Sequence, residues 1–294
     1  MKNCFILILS LMMSFPILAQ KHLFLIGVDG MSPDGIDNAK TPHIDALMTT
    51  GAYTMKAEAV SPTVSGPNWA SLFMGAGPEQ HRIYDNNWRP KDFQDSIFCN
   101  GKKGQLWPTL FGVIRQQDSD AHLACFHDWS TINQYIERGA CQMVADTKGE
   151  DHTNEEAIRY IKTHRPKFLF LHLDHVDHAG HRHGHGSAAY YASVEKADEL
   201  IGDFIEGLKQ AGIYEESVLV VTSDHGGIGK GHGGDTPEEK LIPIIINGKG
   251  IQKGTEISEK EVMIYDISAT ILDVLGHQPP KCWIGKSLQS ALSK

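Results

Sequence analysis

The sequence has no fixed-period repeat, no low-complexity tract and no Pro/Ser-rich linker, so neither a solenoid nor a string of tethered modules is in view. Positive charge is in short supply: 27 Lys and Arg stand against 36 Asp and Glu, for a formal net charge of −9. An acidic chain of this kind is a poor bulk partner for nucleic acid. A small anionic substrate would need local positive charge, such as bound cations. Cysteine is also scarce, at five residues, and the spacing matches no zinc module. Long apolar runs are confined to the first 19 residues, and nothing later approaches a membrane span.

That first run reads as a secretory leader. Lys2 supplies a positive start, an apolar stretch runs from Cys4 to Ala19, and polar Gln20 and Lys21 follow. Its removal takes away one charge and moves the net value from −9 to −10. The expected product is periplasmic or secreted, with no stable membrane span. The remainder, residues 20–294, is expected to form a single domain. Export would permit disulfides among Cys99, Cys125, Cys141 and Cys282, with the pairing open among three arrangements or none.

What the chain does have is histidine, 16 residues, many of them between His172 and His232. It also alternates strand-like and helix-like segments. Apolar runs at 22–28, 121–126, 167–173, 217–222 and 241–246 read as buried strands. Helices are expected at 42–50, 66–74, 108–114, 154–164, 187–211 and 264–275. Continuous apolar strands separated by helices predict a three-layer α/β/α sandwich around a mostly parallel sheet. Ligands then bind beyond the carboxyl ends of the strands. Three of these strands run into acidic or histidine residues: Asp29, the stretch from Asp174 to His181, and Asp224-His225.

Each candidate is modest alone. Asp224-His225 before two glycines could be a turn, and Asp29 could cap one. Asp177 and His181 are four residues apart, on one face if the segment is helical. His232 sits in a glycine-flanked loop. Ser65 precedes Gly66-Pro67-Asn68 at a helix start, where it could cap the helix or act as a nucleophile among free amide groups. Asn86 lies in a Tyr-Asp-Asn-Asn-Trp turn. Together they offer six ligands and one hydroxyl. That is enough for two cations about 3.5–4 Å apart, a clamp suited to in-line phosphoryl transfer.

These residues resemble the alkaline phosphatase superfamily, and within it the nucleotide pyrophosphatase/phosphodiesterase branch. The segments that carry the likeness are LIGVDGM at 25–31, TPHIDALMTTGAYT at 41–54 and SPTVSGPNWASLFMGAGPEQHRIYDNN at 61–87. DHVDHAGHRHG at 174–184, SDHGG at 223–227 and DISATILDVLG at 266–276 complete it. The resemblance implies one cation on Asp29, Asp224, His225 and the Ser65 oxygen, and a second on Asp177, His181 and His232. Zinc is the implied ion, with manganese able to substitute. Asn86 falls on the family's oxyanion asparagine, with the Gly66 N–H beside it. The implied substrate is a small phosphate ester, cleaved through a phosphoserine.

The chain also departs from the family. Serine stands where the branch usually has threonine. His232 follows His225 almost at once, so the usual insertion is absent and the cap over the site is small or missing. Trp69 stands where formylglycine sulfatases need arginine. A phosphomonoesterase or phosphonate hydrolase, using Arg82, Arg89 or Lys230 on the outer oxygens, is the alternative enzyme. A non-catalytic metal-binding module is the alternative outside catalysis.

Overall fold

The structure is a computed structural model and describes residues 22–89, 99 and 106–293. The leader expected over 1–19 lies outside these residues. Eight strands form one sheet: β1 (His22–Val28), β2 (Ala52–Glu58), β3 (Leu123–His127), β4 (Met143–Asp146), β5 (Phe168–Leu173), β6 (Ser217–Thr222), β7 (Leu241–Gly248) and β8 (Thr255–Glu256). Their order across the sheet is β4-β3-β5-β1-β6-β7-β2-β8. All neighbours are parallel except β7, which runs against both β6 and β2.

Ten α-helices accompany the sheet among the described residues. They are α1 (Pro33–Asn38), α2 (Pro42–Thr50), α3 (Ser65–Met74), α4 (Pro78–His81), α5 (Leu110–Gln117), α6 (Glu150–His164), α7 (His175–His183), α8 (Ala188–Gln210), α9 (Pro237–Lys240) and α10 (Asp266–Val274). Alternate residues of the central strands point to opposite faces. Leu23, Leu25, Phe168, Phe170, Val218 and Val220 join the core under α3, α5 and α10. Phe24, Ile26, Leu169, Leu171, Leu219 and Val221 join the core under α2, α6 and α8. Both faces are thus covered, which is why these strands read as unbroken apolar runs.

Six elements depart from the sequence reading. The strands β2, β4 and β8 and the short helices α1, α4 and α9 are not among the expected segments. The burial of β2 alternates and it carries Lys56, and β4 is a half-exposed edge. Neither shows the continuous apolar run that marks the centre of the sheet. The direction of β7 is likewise invisible in Leu-Ile-Pro-Ile-Ile-Ile. Its Pro243 cannot donate to a ladder. The register of β2 shifts between Thr54 and Ala57, opposite that proline. There Lys56 N–H turns instead to its own strand's Thr54 Oγ1 at 3.1 Å.

Among the cysteines, Cys99 and Cys282 form a disulfide, while Cys125 and Cys141 are free. No helix of the described residues is long and apolar enough to cross a membrane.

Candidate metal centre

The strands β5, β1 and β6 lie side by side in parallel, so their carboxyl ends open onto one edge. Asp29 follows β1, Asp174 and α7 follow β5, and Asp224-His225 follows β6. The fourth contributor is α3, whose start must approach that edge closely. Gly27 makes this possible: a Cβ there would lie 2.4 Å from the indole of Trp69, on α3. Trp69 Nε1 then donates to Asp29 Oδ2 at 3.0 Å, tying α3 to the end of β1.

Ser65 is the first residue of α3, and the cap position belongs to Val64, so the hydroxyl is not used to cap the helix. Its Oγ lies 3.1 Å from His225 Nε2 instead. That Nε2 is also 3.3 Å from Asp224 Oδ2 and 3.6 Å from Asp29 Oδ1. Asp29, Ser65, Asp224 and His225 therefore converge, all buried. The other group gathers beside it. On α7, Asp177 Oδ2 and His181 Nε2 are 3.2 Å apart, and Asp177 Oδ1 is 3.7 Å from His232 Nε2. The ring of His232 stacks on that of His225 with centroids 3.8 Å apart, so the two groups abut.

The histidines show how these groups are prepared. His181 Nδ1 donates to the carbonyl of Lys230, His225 Nδ1 to Gly226 and His232 Nδ1 to Thr63, at 2.8–3.0 Å. A carbonyl only accepts, so each Nδ1 carries a proton, and in the neutral ring each Nε2 then presents a lone pair. His181 Nε2 and His232 Nε2 face each other at 3.2 Å, beside the oxygens of Asp177. As neutral rings they set two lone pairs at that distance, and a shared cation resolves the repulsion. The carboxylates match. Asp29 Oδ1, Asp177 Oδ1 and Asp224 Oδ2 are buried and accept no hydrogen bond among the described residues. Buried charge left in this way is costly unless paired or bound to metal. Neutral imidazoles and carboxylate oxygens are the donor set of zinc and similar divalent ions. The residues present thus fit two cations.

The ionisation of the cluster reflects the same crowding. Burial, then the charge of Asp29, pushes the carboxyl of Asp177 up to about 6 and that of Asp224 well above its ordinary range. Burial lowers His225 to about 3, which keeps its imidazole neutral. Asp29 goes the other way. Burial alone would raise it, but the hydrogen bond and charge of His172 and the hydrogen bond from Trp69 hold it at about 2.

Asn86 accepts the Gly66 N–H on Oδ1 at 2.6 Å, which leaves Nδ2 to donate. The Gly66 N–H, expected as a second donor to substrate, is therefore engaged. The buried hydroxyl of Tyr135 lies against the same turn, without a partner among the described residues. Of the cationic candidates, Arg82 reaches the hydroxyl of Tyr84 and Arg89 binds the carbonyls of Asn86 and Trp88, while Lys230 contributes its backbone carbonyl to His181. Sequence reasoning missed His172, which lies buried between Asp29 and Asp128 at 3.2 and 3.1 Å. Its only sequence signal was a polar residue inside the apolar run of β5.

An α/β/α sandwich whose candidate ligands cluster at the carboxyl ends of parallel strands places the chain among alkaline phosphatase-like proteins. Solved structures agree on the fold. Human ectonucleotide pyrophosphatase/phosphodiesterase 5 superposes with a TM-score of 0.75 at 16% identity, covering 94% of this chain and all of that one. A 2-O GAG sulfatase gives 0.72 at 16% identity over 92% of this chain and 73% of that one. The type I phosphodiesterase/nucleotide pyrophosphatase family model matches residues 23–229, and the chain belongs to that family.

Among curated relatives, ectonucleotide pyrophosphatase/phosphodiesterase family member 3 of Rattus norvegicus is 25% identical over 220 residues, 70% of this chain. Venom phosphodiesterase 2 of Crotalus adamanteus is 25% identical over 218 residues, also 70% of this chain. The match spans only 25–27% of the length of these two relatives. For bis(5'-adenosyl)-triphosphatase of Pongo abelii, the match is 26% identical over 69% of this chain and 47% of the relative.

Proposed function

We propose that this chain is an exported phosphoesterase that uses two divalent cations, zinc above all, and Ser65 as nucleophile. It cleaves phosphodiesters or nucleotide pyrophosphate-type bonds. The observation that carries the reading is the facing pair of Nε2 atoms on His181 and His232 beside Asp177, set next to the Ser65 hydroxyl and His225. Asp29, Asp224, His225 and the Ser65 oxygen would hold one cation, and Asp177, His181 and His232 the other. When bound, such ions supply Lewis acidity to the Ser65 hydroxyl and to the phosphoryl oxygens.

The chain's own residues do the rest. Ser65 Oγ gives up its proton to solvent and attacks phosphorus. The P–O bond to the leaving group breaks opposite, and a Ser65 phosphoryl ester forms. Water then attacks phosphorus, the bond to Oγ breaks, and the hydroxyl is restored. Asn86 Nδ2 donates to a nonbridging oxygen, and the amide-rich start of α3 adds favourable potential for an anion. Residues 20–294 act as one domain with little cap, so recognition rests on the phosphoryl group more than on the rest of the ester. Export is supported by the disulfide.

Diester preference is supported by the match to the type I phosphodiesterase/nucleotide pyrophosphatase family model. A monoester carries an extra charge that a second cationic side chain at the phosphoryl group would have to meet. Rates of the zinc-loaded protein on bis(4-nitrophenyl) phosphate and 4-nitrophenyl phosphate test this, with the diester expected to be faster. Ser65→Ala should reduce turnover by at least about a thousandfold and keep both zinc ions. Unchanged turnover in that variant would remove Ser65 from the reaction.

A further inference from the structure

The ends of β3, β5 and β1 are consecutive across the sheet and lay three side chains in a line. Asp128, just after β3, has Oδ1 3.1 Å from His172 Nδ1. His172, on β5, has Nε2 3.2 Å from Asp29 Oδ2. The imidazole is fully buried and the Asp128 carboxylate is 5% exposed, so water does not substitute for either contact. Trp69 meets the His172 ring edge-on at 5.0 Å and Trp129 stacks on it at 6.4 Å, which leaves the ring little freedom to turn.

The consequence falls on Asp29. Its Oδ2 receives two donors, from His172 and Trp69, while Oδ1 receives none and faces His225. A carboxylate with free rotation could offer a cation both oxygens. This one is divided, with one oxygen held by the protein and the other presented to the centre.

We infer that Asp128 and His172 form a positioning relay that makes Asp29 a one-oxygen ligand for the cation beside Ser65. The inference rests on the two-cation reading above, but it concerns residues that reading does not use. Asp29 lies close to Asp177 as well as to His225. No hydrogen bond, ion pair or ring contact links His172 or Asp128 to His181 or His232 among the described residues, so disturbing the relay should weaken chiefly the cation beside Ser65. A residue needed only for packing would weaken both or neither.

The test is a zinc titration of the metal-free protein against a chromophoric chelator, resolving the two equivalents. Circular dichroism establishes that each variant is folded. His172→Leu, which removes both hydrogen bonds, should weaken one equivalent by about 10–100-fold and leave the other within about twofold. His172→Gln can place an amide N–H near the Nε2 position. It should recover part of that loss, and Asp128→Asn should fall between Gln and wild type. If His172→Leu does not fold, the Gln and Asn variants carry the same prediction at smaller size.

Equal affinities in all variants would overturn the relay, and so would a parallel loss at both equivalents. A third zinc equivalent that disappears in His172→Leu would overturn it differently, making His172 a ligand together with Asp29 and Asp174. Failure of the phosphoesterase reading looks different again. If the selective loss occurs but the wild type hydrolyses neither nitrophenyl ester, the relay stands and the proposed activity does not. If the wild type binds no zinc, both fall.

Discussion

At the scale of single residues, the centre is organised by what each polar atom lacks. Three histidines have their Nδ1 protons committed to backbone carbonyls, and three buried carboxylate oxygens accept no hydrogen bond among the described residues. A buried histidine outside the centre shows the ordinary alternative. His81 is fully buried, its Nδ1 accepts the Ile83 N–H at 3.1 Å, and its Nε2 meets Ser71 Oγ at 2.9 Å. Burial lowers it from 6.5 to about 3, so it folds as the neutral ring. Because the folded value is below the unfolded one, its contribution is complete above pH 6.5. It is lost as pH falls toward 3. In urea unfolding, the stability gap between wild type and His81→Asn should narrow by roughly 1.4 kcal/mol per pH unit below 6.5. A gap that widened on acidification would contradict this assignment.

The eight residues singled out from sequence, Asp29, Ser65, Asn86, Asp177, His181, Asp224, His225 and His232, lie in short motifs and could be read there. His172 and Asp128 could not. Their meaning comes from the adjacency of β3, β5 and β1, and no local pattern records which strands pair.

At the scale of elements, the position of α3 matters most. It carries Ser65 and Trp69, and its distance from β1 is set by the missing side chain at Gly27. Gly27→Val should push the indole of Trp69 outward, break its bond to Asp29, and move the start of α3. Overpacking of this kind costs on the order of 1–3 kcal/mol. The thermal midpoint should drop, and zinc affinity should fall together with diester turnover. An unchanged midpoint with full activity would show that α3 tolerates displacement.

The buried strands and long helices were legible because their apolar spacing is regular. Thus 187–211 appears as α8 (Ala188–Gln210), and 217–222 appears as β6 with the same limits. The strand β2 was not, since only alternate residues are buried. The α7 segment was readable only conditionally, because Asp177 and His181 share a face only once the helix is formed.

At the scale of the whole molecule, two buried cores hold a sheet whose carboxyl edge gathers the candidate ligands from the ends of β1, β5 and β6 together with α3. The sandwich follows from patterning that any parallel sheet covered on both faces must have. The antiparallel course of β7 and the Cys99–Cys282 pairing do not, because both depend on where the chain travels between elements. The account stands or falls on two cations meeting beside one hydroxyl. Anomalous scattering at the zinc edge, from crystals of the zinc-loaded protein, tests it most directly. Two peaks are expected, one among Asp29, Ser65, Asp224 and His225, the other among Asp177, His181 and His232. A single peak, or peaks away from Ser65, would contradict it.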